Sequence, residues 1–284
     1  VPFTLSHAAA VLPAVRGDGS GRGRLVPAVL VAGSFAPDMT YFAASAASRA
    51  MAFGAVTHSL AGVFTVDVLI AWALVGVWLV LREPLVALLP RAGQGRVAAL
   101  VRCGTPRREV SLPLVSRWYV SAVLGALTHV VWDAFTHLDR WGVRVFPVLK
   151  RQLPGAPLYT YLQYGSSAVA AVVIALFVAV LLRRMPAGSA AVARVPVLSW
   201  ADRWLAGAMI GGCAAAGAVQ RASRWWAYWG TIAKPWDVIP PVCFGAGAGL
   251  VLGLTLYAAG VRAWRPAVAD PACACMEPSR SASR

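Results

Sequence analysis

Apolar runs close to the length that crosses a hydrocarbon core, roughly 20 residues, recur along this chain at 61–81, 118–135, 164–182, 204–219 and 242–259. They predict five membrane-spanning helices. A sixth apolar stretch, 25–47, contains Pro27, Pro37 and Asp38, so it is expected to be helical but broken or re-entrant, with Pro37 at the break. Residues 3–15 read as a short amphipathic helix with Thr4 or Ser6 near its start, ended by a glycine-rich turn at 17–23. The expected fold is therefore all-α: a polytopic transmembrane bundle of about five to six spans with an N-terminal interfacial or re-entrant helical segment.

The pattern also makes finer expectations. The stretch 51–81 can run as one helix, since only Gly54, Gly62 and Gly76 interrupt it. Pro84, Pro90, Pro106 and Pro113 forbid a long helix over 82–116. Gly207 with Gly211, and Gly245 with Gly249 and Gly253, set small residues four apart and let helices approach closely in lipid. The tryptophan-rich stretch 220–241 reads as an interfacial loop. Residues 1–266 form one integral-membrane domain, and 267–284, which lack apolar periodicity, form a disordered tail. No basic start followed by an apolar core and a cleavage site precedes Arg16, so the N-terminal segment is expected to be retained.

Composition agrees with lipid as the solvent: 59% of residues are hydrophobic and only 13% charged. A net charge of +15 would suggest nucleic acid in a soluble protein. Here the arginines sit in loops between apolar spans, so nucleic acid is not an expected partner and the bilayer is. The loop 82–117 carries seven arginines against Glu83 and Glu109, which places it in the cytoplasm by the positive-inside rule. The five cysteines show no zinc-ribbon spacing and no disulfide framework.

Candidate chemistry lies in the histidines. His129, Asp133 and His137 fall at i, i+4 and i+8 and so form one stripe on a helix face, an offset that metal-binding helices use. His58 precedes the first span, and a hairpin of the first two spans brings it out on the same side as His137. With a rise of about 1.5 Å per residue, His129 lies about 12 Å deeper than His137, so His58 must dip toward it or its helix must start earlier, near Met51. His7 and Asp38 are available from the N-terminal segment to pack over the same face. Asp67, nine residues past His58, faces nearly the opposite way and is expected to pair with a loop arginine or another helix.

The runs Pro-Phe-Thr-Leu-Ser-His at 2–7, Gly-Ser-Phe-Ala-Pro-Asp at 33–38, Thr-His-Ser at 57–59 and Thr-His-x-x-x-Asp-x-x-x-His at 128–137 resemble the DUF4184 family, a bacterial group of membrane proteins. That resemblance implies a multi-pass protein of the bacterial inner membrane. The order of these residues is more distantly similar to YdjM-type membrane-bound metal-dependent hydrolases and to zinc phospholipase C. That similarity implies one zinc held by Asp38, His58, His129 and Asp133, a second shared by His7 and Asp133, and His137 as the counterpart of a further ligand. No histidine follows His137, so the later His-x-x-x-Glu pair of those enzymes is missing and a complete trinuclear centre is not expected.

The leading functional expectation is a metal-dependent hydrolase with one or two zinc ions, acting on a phosphoester or other polar bond of a lipid or membrane-associated substrate, with Arg140 and Arg144 as candidate phosphate ligands. Two alternatives stand beside it. One is an ion- or proton-coupled transporter using His129, Asp133 and Asp67, against which the lack of an internal repeat counts. The other is a structural protein whose His/Asp cluster ties helices together.

Overall fold

The computed structural model describes residues 3–103, 111–138, 140–185, 195–230 and 235–264. The tail 267–284, with its Cys273/Cys275 pair, lies outside the described residues. Without water to satisfy stray backbone groups, a chain this apolar closes its hydrogen bonds within helices. Four described helices are long and apolar enough to cross a membrane: α5 (Val66–Ala87), α7 (Leu112–Thr136), α9 (Leu158–Arg184) and α11 (Ile239–Trp264). A fifth, α10 (Trp200–Trp229), is 30 residues long and pairs with α11 as an antiparallel hairpin, but Asp202, Arg203, Arg221 and Arg224 make it more polar. The expected all-α bundle is observed. Among the described residues the sheet is confined to a hairpin of two two-residue strands, Gln152–Leu153 against Ala156–Pro157.

The N-terminal segment is helical as expected, but not an amphipathic helix lying on the surface of the bundle. It is a 3₁₀ helix, Thr4–Ala14, that buries Thr4, Ser6, His7, Ala8 and Val11 and packs against α9, α7 and α1 (Pro27–Phe35). The glycine-rich turn follows as expected, with Gly19 at φ 82 and Gly23 at φ 59. Pro27 opens α1, and the break expected at Pro37 is a single 3₁₀ turn, Ala36–Asp38, leading into α2 (Met39–Ala43). α1 lies parallel to α7: Val26 N–H donates to Ser121 Oγ at 3.0 Å, and His129 meets the Ser34 carbonyl at 2.8 Å, the same offset eight residues on. Gly33 and Gly125 make this closeness possible, since a Cβ on either would run into backbone of the facing helix. The apolar core is built where α1, α5 and α7 meet, around Val29, Val63, Ala71, Val75, Ala122 and Ala126.

The stretch 51–81 is not one helix. A 3₁₀ helix Ser48–Phe53 runs into α3 (Gly54–Thr57), the chain turns at His58, α4 (Leu60–Phe64) begins under a Ser59 cap that accepts from Gly62 N–H at 3.0 Å, and a second break at Thr65 precedes α5. Gly62 lies directly on the backbone of Val56 and Thr57, leaving no room for a side chain. These breaks produce the dip that His58 requires.

At the other end, α5 continues through Pro84 to Ala87, and the short helix α6 (Arg91–Arg102) starts after Pro90, so no long helix runs through the described part of 82–116, although Pro84 itself does not end α5. Pro84 has no N–H for the Val80 carbonyl one turn back, and the Arg262 guanidinium of α11 donates to that carbonyl instead. Tyr257 Oη donates to the Pro84 carbonyl at 2.8 Å. The helix tolerates its proline because a neighbour supplies the missing donor. Residues 225–229 are likewise helical, the last turn of α10, rather than loop. Of the small residues expected to pack helices, Gly245, Gly249 and Gly253 do so against Gly217, Cys213 and Ile210, whereas Gly207 and Gly211 face open space.

Candidate metal centre

Asp38, His58, His129 and Asp133 converge from three segments, the 36–38 turn, the turn at His58 and α7, into one buried group that could hold a metal ion. His58 Nε2 is 3.5 Å from Asp38 Oδ1 and 3.5 Å from Asp133 Oδ2, and His129 Nε2 is 3.5 Å from the same two oxygens. These separations are too long for good hydrogen bonds, which lie near 2.7–3.2 Å. They do match the edge of a tetrahedral ligand set, about 3.3–3.6 Å for metal–ligand bonds of about 2.0–2.2 Å. The same four atoms, Asp38 Oδ1, His58 Nε2, His129 Nε2 and Asp133 Oδ2, are buried and have no hydrogen-bond partner. Four orphaned donor atoms at one point would be costly in an apolar interior. One cation between them satisfies all four, whereas a proton serves a single pair.

The outer atoms of these side chains are held. His129 Nδ1 lies 2.8 Å from the Ser34 carbonyl and His58 Nδ1 2.9 Å from the Gly54 carbonyl. A carbonyl only accepts, so each Nδ1 carries the proton and each Nε2 presents its lone pair to the centre. Thr4 Oγ1 donates to Asp38 Oδ2 at 2.5 Å, and Thr57 Oγ1 donates to the Pro37 carbonyl at 2.7 Å, fastening the turn that carries His58 to the turn that carries Asp38. Fixed outer partners of this kind are what metal ligands need for orientation.

Asp133 turns its second oxygen to a second group. Oδ1 is 3.5 Å from His7 Nε2 and 3.5 Å from His137 Nδ1. In a 3₁₀ helix residues three apart eclipse, so the helix that sends Thr4 to Asp38 sends His7 to Asp133. The His7 ring stacks on His129 with centroids 3.7 Å apart and meets Trp132 edge-on at 5.5 Å. Burial, then the neighbouring charge of His129, lowers the His7 pKa to about 3, so this ring is neutral near pH 7. His58 behaves oppositely: burial opposes its charge, but Asp133 and Asp38 outweigh that and raise its pKa. His137 Nε2 lies 2.9 Å from the Gln163 side-chain amide of α9.

All six expected ligand residues thus lie together. Arg140 reaches this region indirectly, through the Tyr41 hydroxyl, and the Tyr41 ring is 5.5 Å from the His58 ring. Arg144 is exposed on the short helix α8 (Trp141–Val145). Asp67 is fully buried, and among the described residues neither of its carboxylate oxygens has a hydrogen-bond partner. The pairing with an arginine expected for it is not seen among the described residues. Thr4, Gly54, Tyr41 and Gln163 were not legible as parts of the site. Thr4 was read as a helix start, and the other three carry no spacing that separates them from ordinary turn or interface residues.

One family model, described as a domain of unknown function (DUF4184), matches residues 1–259 and so takes in every residue of the centre. No curated protein and no solved structure matches the chain.

Proposed function

The chain belongs to the DUF4184 family, and from its buried centre we propose that it is a membrane-bound, zinc-dependent hydrolase of phosphoester or lipid-linked substrates. The observation that carries this reading is the set of four inward-facing atoms, two imidazole nitrogens and two carboxylate oxygens, buried without partners and 3.5 Å apart along each N–O edge. Mixed nitrogen and oxygen donors in that arrangement suit zinc. The four would hold one ion, and His7 with Asp133 Oδ1 and His137 offers donors for a second. A zinc ion so held lowers the pKa of bound water toward about 7. The chain's own residues do the rest. Asp133 places one oxygen toward each group of ligands, Thr4 holds Asp38 in position, and His7, neutral near pH 7, is available as a ligand. Arg140, linked to the site through Tyr41, and Arg144 on the following helix would supply the positive partners that a phosphate oxygen needs.

The test is metal analysis of protein purified near neutral pH without chelator, followed by phosphate release from phosphatidic acid and from a soluble aryl phosphate. Stoichiometric zinc with activity on either substrate supports the reading. A metal-free protein that drives ion-coupled uptake in vesicles would replace it with a carrier.

Two further outcomes are expected. Thr4→Val removes the hydrogen bond from Thr4 Oγ1 to Asp38 Oδ2, and zinc affinity measured by competition with a chromophoric chelator should fall about 10–100-fold with the helical circular dichroism unchanged. Because Asp133 and Asp38 raise the His58 pKa against the opposing effect of burial, at pH values below that raised pKa the metal-free centre holds a proton that zinc must displace. Affinity should therefore rise about tenfold per pH unit below that raised pKa and level off above it.

A further inference from the structure

The helix directions sort the bundle into two faces, and the metal centre belongs to only one. α7 ends at Thr136 and α5 begins at Val66 on the centre's side, and α9 and α11 also begin there, at Leu158 and Ile239. α7 is 25 residues long, or about 37 Å at 1.5 Å per residue, enough to cross a core of about 30 Å. Asp133 lies three residues before its end, about 5 Å from that end of the helix along its axis.

The opposite face is assembled from the loop 16–24, α6, and the remaining helix ends. Arg184 Nη1 donates to the Gly17 carbonyl at 3.4 Å, Cys103 Sγ meets the Asp18 carbonyl at 3.3 Å, and Arg203 Nε donates to the Ala87 carbonyl at 3.4 Å. These contacts place the N-terminal loop, the end of α9, α6 and the α5/α10 junction at one level. Among the described residues that face gathers eight arginines in the loop 16–24, α6 and the end of α9 (Arg16, Arg22, Arg24, Arg91, Arg96, Arg102, Arg183 and Arg184), with Arg82, Arg117, Arg203 and Arg262 at adjoining helix ends. The centre's face has Arg49, Arg140, Arg144, Lys150, Arg151, Arg221 and Arg224. Twelve basic side chains against seven is a bias that cytoplasmic surfaces carry. From the sequence the asymmetry rested on the loop 82–117; the structure adds the N-terminal loop to the same face.

We infer that the metal centre opens on the non-cytoplasmic side of the membrane, and that its substrate is an anchored phosphoester of the outer leaflet. The substrate class rests on the hydrolase reading; the sidedness does not. The surface beside the centre fits such a substrate. Trp141 (51% exposed), Val145 (62%), Phe146 (50%) and Val148 (60%) project from the segment after α7, next to Arg144, Lys150 and Arg151. Apolar side chains mixed with cations are what settle a segment among lipid headgroups.

Cysteine labelling in intact cells tests the sidedness. In a full-length background with all five cysteines replaced by alanine, Val148→Cys and Lys150→Cys report the centre's face, and Ala92→Cys and Gly93→Cys report the other. Gly93 has open space around it and Ala92 is exposed, so neither disturbs packing. A membrane-impermeant maleimide should label the first pair before permeabilisation and the second pair only after it. Labelling of the second pair first, or of the first pair only after permeabilisation, overturns the inference. Two positions per face guard against one variant that fails to fold. Zinc content is measured on the same samples: its absence with the expected labelling would remove the hydrolase reading and leave the sidedness standing.

Discussion

His129→Ala protein should purify with essentially no bound zinc, against about one ion or more per chain for the unchanged protein. His129 supplies one of the four inward-facing atoms and is fully buried, so no water can take its place without a route in. Loss of an outer hydrogen-bond partner alone weakens metal sites about 10–100-fold; loss of a ligand should exceed that. Asp133→Ala should be at least as severe, because this carboxylate faces His58 and His129 through one oxygen and His7 and His137 through the other. Metal quantified by mass spectrometry, with size-exclusion profiles confirming that the variants fold, decides the matter. A His129→Ala protein with undiminished zinc would mean that the ion sits elsewhere. Stability should follow occupancy, since zinc at about 100 times its dissociation constant adds about 2.7 kcal/mol. Chelator should therefore lower the melting temperature of the unchanged protein and not that of the variants.

The second large effect is expected far from any ligand atom. Gly125→Leu puts a side chain where the Leu30 carbonyl and the Ser34 N–H of α1 already lie. Both obstacles are backbone and neither can rotate away, so α1 must move off α7. Overpacking of this kind costs about 1–3 kcal/mol and sometimes more. Here it also draws the Ser34 carbonyl away from His129 Nδ1 and carries Asp38, just beyond α1, away from the centre. Thermal stability and zinc content should fall together. Gly76→Leu is the control: nothing lies within 4 Å of a Cβ at that position, and the same added volume should leave both readouts unchanged. Zinc retained in full by Gly125→Leu would show that the contact between α1 and α7 does not set the geometry of the centre.

The two effects mark what could be read from residue order. The i, i+4, i+8 stripe of His129, Asp133 and His137 follows from helical periodicity, and an acid in an apolar helix points to a partner nearby. His58 could be put on the right side of the membrane by hairpin logic. Its depth could not, because that depends on the breaks at His58 and Thr65, and Gly62 gave no sign that it sits on the backbone of its own preceding turn. The proline at 84 misled for a related reason: its missing hydrogen bond is made good by Arg262, which is distant in sequence. Gly207 and Gly211 have packing spacing and yet face open space, while Gly217, outside that pattern, meets Gly245.

Composition and hydrophobic run length by themselves settled that this is a lipid-embedded helical chain, since the need to bury backbone groups in hydrocarbon leaves few other choices. Residue spacing went further only within single helices, where geometry is periodic and local. The tertiary structure decided the convergence of the 3₁₀ segment, the 36–38 turn, the dip at His58 and the stripe on α7, and with it the four unpartnered atoms. Those positions depend on glycine-mediated contacts between helices and on hydrogen bonds across 20 to 95 residues of chain, which no local period encodes.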